Sequence, residues 1–117
     1  MLLVTCSGGS NVGQIANQAA VELAKEGCGK LFCLAGIGAH LDTMIVATKD
    51  RKLVVIDGSP VQCGKKILEH AGLKADLPVI VTDLVIENTH NLEVEPGDCA
   101  AVVEKVKEGM TVIAKAR

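Results

Sequence analysis

Four short apolar runs, separated by stretches of helical periodicity, constrain the fold of this chain more than any other feature. The runs cover residues 2–5, 30–34, 53–56 and 78–82, and each is rich in Val, Ile or Leu and bounded by Gly, Asp or Ser. Runs that are apolar at every position, with no alternation, suit strands buried on both faces of a parallel sheet. The stretches between them read as helices. Val12, Ile15, Ala16, Ala19 and Leu23 mark one face at helical spacing. Asn11 followed by Gln14 forms a capping-box pattern, and Gly27 suits a left-handed helix terminator. A second helix is predicted over residues 39–47. A third is predicted with Ser59 as N-cap, Pro60 at its first position and Gly72 as terminator. A last helix is predicted over residues 98–108, closed by Gly109. Residues 84–97 carry no readable pattern, and residues 110–114 read as a fifth strand or a docked tail.

Strand and helix in strict alternation predict an α/β fold. The expected form is a single-domain, doubly wound, Rossmann-like parallel sheet of four or five strands, with helices on both faces and right-handed crossovers. The 117 residues suffice for one domain, residues 1–117, with a real core. Apolar residues make up 49% of the chain but Phe32 is the one aromatic, so that core must be built from aliphatic side chains.

Charge and composition exclude several partners. A net charge of -2, with no basic stretch, speaks against nucleic acid. No apolar run reaches the roughly 20 residues of a membrane span. The opening residues lack the basic start of a signal peptide, so a cytoplasmic location is expected. In a reducing compartment five cysteines are an unlikely disulfide framework. Their thiols then read as core residues, metal ligands or reactive groups. No protein partner can be named from the sequence.

In doubly wound sheets ligands bind outside the carboxyl ends of the strands. Cys6 and Cys33 are placed at the ends of strands one and two. Asp57 ends strand three, and Ser59 and Cys63 open the following helix. Cys28 falls at the opposite edge, and the edge of Cys99 is not assigned. The turn Cys6-Ser-Gly-Gly-Ser-Asn11 leads from strand to helix and offers backbone N–H groups to an anion, or is simply a tight connection. A helix start beside Lys65 and Lys66 favours a Cys63 thiolate, whereas Asp57 opposes one unless a cation is bound. Taken singly, each cysteine is read as a small buried hydrophobe. Three at one edge point to a metal ion or to thiol chemistry. His40, His70 and His90 read as surface residues. A cysteine phosphatase would need an arginine at position 12, where Val12 stands; Arg51 and Arg117 lie elsewhere.

Residues 6–17, Cys-Ser-Gly-Gly-Ser-Asn-Val-Gly-Gln-Ile-Ala-Asn, resemble the opening motif of the DGC-domain family, whose members are proposed to bind zinc. Phe32-Cys-Leu-Ala-Gly-Ile-Gly-Ala-His and Ile56-Asp-Gly-Ser-Pro-Val-Gln-Cys-Gly-Lys-Lys are similar to later motifs of the same family. Leu68-Glu-His-Ala-Gly and Val81-Thr-Asp-Leu continue the match, which spans about residues 4–90. The resemblance implies four ligand positions, falling here on Cys6, Cys33, position 59 and Cys63. Position 59 is Ser59, a departure from the family pattern. Zinc is therefore the expected cofactor, with Asp57 beside it; an iron–sulfur cluster or Cu(I) would also suit thiolates. Two other readings stand beside it. One is a thiol or persulfide enzyme using Cys63 or Cys6; the other is a non-catalytic metal chaperone or accessory subunit.

Overall fold

The computed structural model describes residues 1–115; Ala116 and Arg117 lie outside the described residues. Four strands form one sheet: β1 (Leu2–Thr5), β2 (Lys30–Leu31), β3 (Leu53–Asp57) and β4 (Leu77–Ile80). They lie in the order β2-β1-β3-β4 and every pair is parallel. The fold is thus the expected compact α/β, Rossmann-like one. Among the described residues five α-helices complete it, α1 (Asn11–Lys25), α2 (Leu34–Gly38), α3 (Asp42–Val46), α4 (Cys63–His70) and α5 (Pro96–Lys115), with a 3-10 turn over Val81–Leu84 directly after β4.

Strand parity divides the core. Leu3, Val54 and Ile56 point to one face, where they meet α1 and α5 through Ile15, Ala19, Leu23, Val102 and Val106. Leu2, Val4, Leu53 and Val55 point to the other, against Ile37 of α2 and Leu68 of α4. Successive strand residues alternate faces, so both sides of β1 and β3 must be apolar to fill the two layers. The chain leaves β1 for β2 in one direction and returns past β1 to β3 in the other. The order therefore reverses between β1 and β3, which is where ligands of such sheets bind.

Several element boundaries differ from the sequence reading. β2 ends at Leu31, and Cys33 caps α2 rather than ending the strand. The helix expected over residues 39–47 is the shorter α3, and α2 before it, over residues 34–38, has no counterpart in the sequence reading; His40 stands between the two with a left-handed φ of 57°. Ser10, not Asn11, caps α1, its hydroxyl accepting the Gly13 N–H. Ser59 is not the N-cap of α4. Its carbonyl accepts the Gln62 N–H to close a Ser-Pro turn, and left-handed Gln62 precedes the helix. Residues 110–114 are not a strand but the continuation of α5, which runs through Gly109. Gly27 and Gly72 do take the left-handed backbone expected of terminators, both with φ of 78°.

Candidate thiol and metal site at the switch point

The site begins with parity. Asp57 follows Leu53 and Val55 on the face of β3 that looks toward α4. It is 1% exposed, and its two oxygens accept the N–H groups of Gly64 at 2.7 Å and Lys65 at 3.1 Å. α4 has no cap from its own N-cap residue, since the Gln62 side chain makes no such bond. Asp57 supplies that cap from the adjacent strand, where a carboxylate also meets the positive end of the helix dipole. Close approach is possible because residue 64 is glycine. A Cβ there would stand 2.7 Å from a Val55 methyl and 2.8 Å from the carboxylate.

Cys6 follows Leu2 and Val4 in parity, one residue past β1, and its N–H still pairs with the Ile56 carbonyl. Its thiol is pushed above the ordinary 9.0, first by burial, with the Cys63 and Asp57 charges adding to the effect. The backbone N–H groups of Gly8 and Gly58 favour the thiolate and partly offset this. The glycine turn is therefore wrapped around a sulfur. Backbone fills it elsewhere: a Cβ on Gly13 would lie 2.7 Å from the Gly8 nitrogen, and one on Gly58 would lie 2.9 Å from the Gly13 nitrogen. Gln14 ties the same turn to α1 by donating to the Ser7 and Gly8 carbonyls.

Cys63, the first residue of α4, is exposed and close enough to Cys6 for their charges to interact. Ser59 is partly buried in the turn between Asp57 and Cys63. Cys33 stands on the neighbouring loop, exposed, with its sulfur accepting the Gly36 N–H at 3.3 Å. It is not among the groups that act on Cys6. Cys6, Cys63 and Asp57 thus lie near enough for their charges to act on Cys6, with Cys33 on the adjacent loop. Cys28 lies between α1 and β2, at the other edge, and Cys99 is buried in the α1/α5 core.

The chemistry of this donor set suits a thiophilic cation. Two thiols and a carboxylate near one another, whose charges oppose a Cys6 thiolate, become compatible when a positive ion joins them. The set is not drawn into a cage: among the described residues, no group of three or more His, Cys, Asp and Glu side chains is positioned to hold a metal ion.

Residues 84–97, unreadable in sequence, close over this edge. Asn11 donates to the Glu87 carbonyl at 2.7 Å and accepts the Thr89 N–H at 2.6 Å. Thr89 and Asn91 then accept the N–H groups two residues on. The sequence signal was Asn11 itself, a side chain with both a donor and an acceptor at a helix start. His40 and His70, read as unrelated surface residues, meet with their nitrogens 2.9 Å apart.

No helix among the described residues is long and apolar enough to cross a membrane. No solved structure matches the chain. The anaerobic and virulence modulator AnvM of Pseudomonas aeruginosa is 26% identical over 117 residues, covering 99% of this chain and 89% of that protein. The family model of the DGC domain matches residues 2–106. With nine-tenths of its length matched across β1 to α5, the chain belongs to the DGC-domain family.

Proposed function

We propose that this protein binds zinc at the switch point through Cys6 and Cys63, with Cys33 as a third thiolate, and that it acts as an accessory or regulatory protein rather than as an enzyme. The observation that carries this reading is the placement of Cys6 and Asp57 at the ends of β1 and β3 with Cys63 opening α4 beside them, near enough for their charges to act on Cys6. The same grouping weighs against the thiol-enzyme alternative. A nucleophilic cysteine needs its thiolate favoured, whereas Cys6 is held protonated by burial and by two neighbouring acids. Among the described residues, the short side-chain contacts of the chain's histidines give neither cysteine a base. A bound cation would reverse each of these penalties. The one relative named above is called a modulator, which fits a regulatory role for this chain.

Ser59 leaves one position of a four-ligand site to water or an outside ligand. A serine hydroxyl stays protonated near neutral pH and is a poor zinc ligand beside thiolates. The test is elemental analysis of untagged protein purified without oxygen, followed by zinc titration against a competing chelator. One zinc per chain is expected, bound more tightly by Ser59→Cys and lost in Cys6→Ser/Cys63→Ser. Brown protein containing iron would replace zinc by a cluster. Absence of stoichiometric metal, together with equal weak binding by the parent and Ser59→Cys, would overturn the proposal.

A further inference from the structure

We propose that His40 and His70 form a second metal site, a two-imidazole site for a borderline divalent ion, independent of the thiols at the switch point. The two rings meet at Nε2 of His40 and Nδ1 of His70, 2.9 Å apart, with centroids 5.0 Å apart and planes at 80°. Two nitrogens each about 2.05 Å from one ion are about 2.9 Å apart at a right angle and about 3.3 Å apart at the tetrahedral angle. The observed separation therefore matches adjacent positions of a tetragonal ion, and a small opening serves a tetrahedral one. Water would fill the remaining positions, since both rings are exposed.

The placement is built into the chain. Cys33 and His40 are seven residues apart, as are Cys63 and His70. Each cysteine starts a helix, α2 or α4, and each histidine follows or ends the same helix. The helices pack side by side, with Gly38 against Ile67. An eight-residue helix rises about 12 Å, so the histidines lie well away from the thiols. His40 also occupies a left-handed position, with φ of 57°, that glycine would take more readily. That backbone turns the chain out of α2, and the ring it carries is the one that meets His70.

Binding needs no net loss of protons from two neutral rings. The ring that donates the N–H···N bond shifts its proton to its other nitrogen, and both facing lone pairs become free for the ion.

The chain has three histidines, so His90, exposed on a separate segment, serves as an internal control. Imidazole resonances of the full-length protein are followed by NMR during titration with Ni²⁺. His40 and His70 should broaden together, at lower Ni²⁺ than His90. His40→Gly, which suits the left-handed backbone, should bring the His70 response to that of His90; His70→Ala should do the same for His40. Cys6→Ser/Cys63→Ser should leave the paired broadening in place, whether or not the switch-point site binds zinc. Equal broadening of all three histidines, or an unchanged His70 response in His40→Gly, would overturn the site. Loss of the paired broadening in Cys6→Ser/Cys63→Ser would overturn its independence.

Discussion

Asp57 holds two backbone N–H groups of α4 while being almost wholly shielded from water. Asp57→Ala leaves both donors without an acceptor, and stability should fall by about 1–3 kcal/mol, read as a lower urea midpoint. Asp57→Asn keeps one acceptor oxygen and should lose less. If the carboxylate acts beside the ion and not on it, Asp57→Asn also weakens zinc only modestly; complete loss of zinc would make Asp57 a ligand. Cys6 gives a pH prediction. Its folded-state pKa lies above the ordinary 9.0, so the stability it contributes is present below that pH and lost as pH rises through the folded value. Alkylation near pH 8 should therefore reach exposed Cys33 and Cys63 before Cys6, and Cys63→Ser should speed Cys6 by removing a like charge. Cys6 reacting first would contradict this. The positions of these residues were legible because 2, 4 and 6 share one parity on β1, and 53, 55 and 57 share one on β3. The left-handed turn at Gln62 was not legible, since Ser59-Pro60 is as good a turn signal as a helix start.

The glycine turn and α1 are interlocked elements. Alanine is ordinarily favoured over glycine inside a helix by roughly 0.5–1 kcal/mol. At Gly13 the added methyl would meet the backbone of Gly8 at 2.7 and 2.8 Å, and backbone cannot swing aside as a side chain can. Gly13→Ala should therefore destabilise by about 1–3 kcal/mol despite the better propensity. It should also hasten Cys6 alkylation, because Gly8 is part of the wrapping around that sulfur. A stabilised variant with unchanged Cys6 reactivity would show that the turn is not held by α1. Similar close approaches explain which elements could be read from sequence. α1 showed its buried stripe and its glycine terminator, and its start to within one residue. α5 was cut short because Gly109 looked like a terminator, yet that glycine is where the helix passes Leu77 of β4. Its stripe continues through Val102, Val106, Met110 and Ile113, a helical period that the short run at 110–114 hid. His40, left-handed between α2 and α3, meets His70 at the end of α4, thirty residues on, a contact that no local pattern carries.

At the scale of the whole molecule the site is a rim on a finished core. The two apolar layers, one against α1 and α5 and one against α2 and α4, are filled by residues other than Cys6, Cys33, Ser59 and Cys63. A zinc finger folds only around its ion because it has no such core. This chain should instead unfold in one cooperative transition with or without metal, and zinc should act as a ligand of the native state alone. At a free concentration of 100 times its Kd, one zinc should add about 2.7 kcal/mol, which for a domain of this size is a rise in melting temperature of roughly 10 °C. Chelator should reverse the rise while leaving the far-ultraviolet dichroism of the folded protein intact. Cys6→Ser/Cys63→Ser should melt close to the metal-free parent at the same zinc concentration, because two exposed imidazoles hold zinc more weakly than thiolates do. A metal-free parent that has lost its secondary structure would mean that the ion organises the sheet, contrary to a core already complete without it. An equal rise in the variant would place the stabilising zinc elsewhere, and His40→Gly would then decide whether the imidazole pair is where it binds.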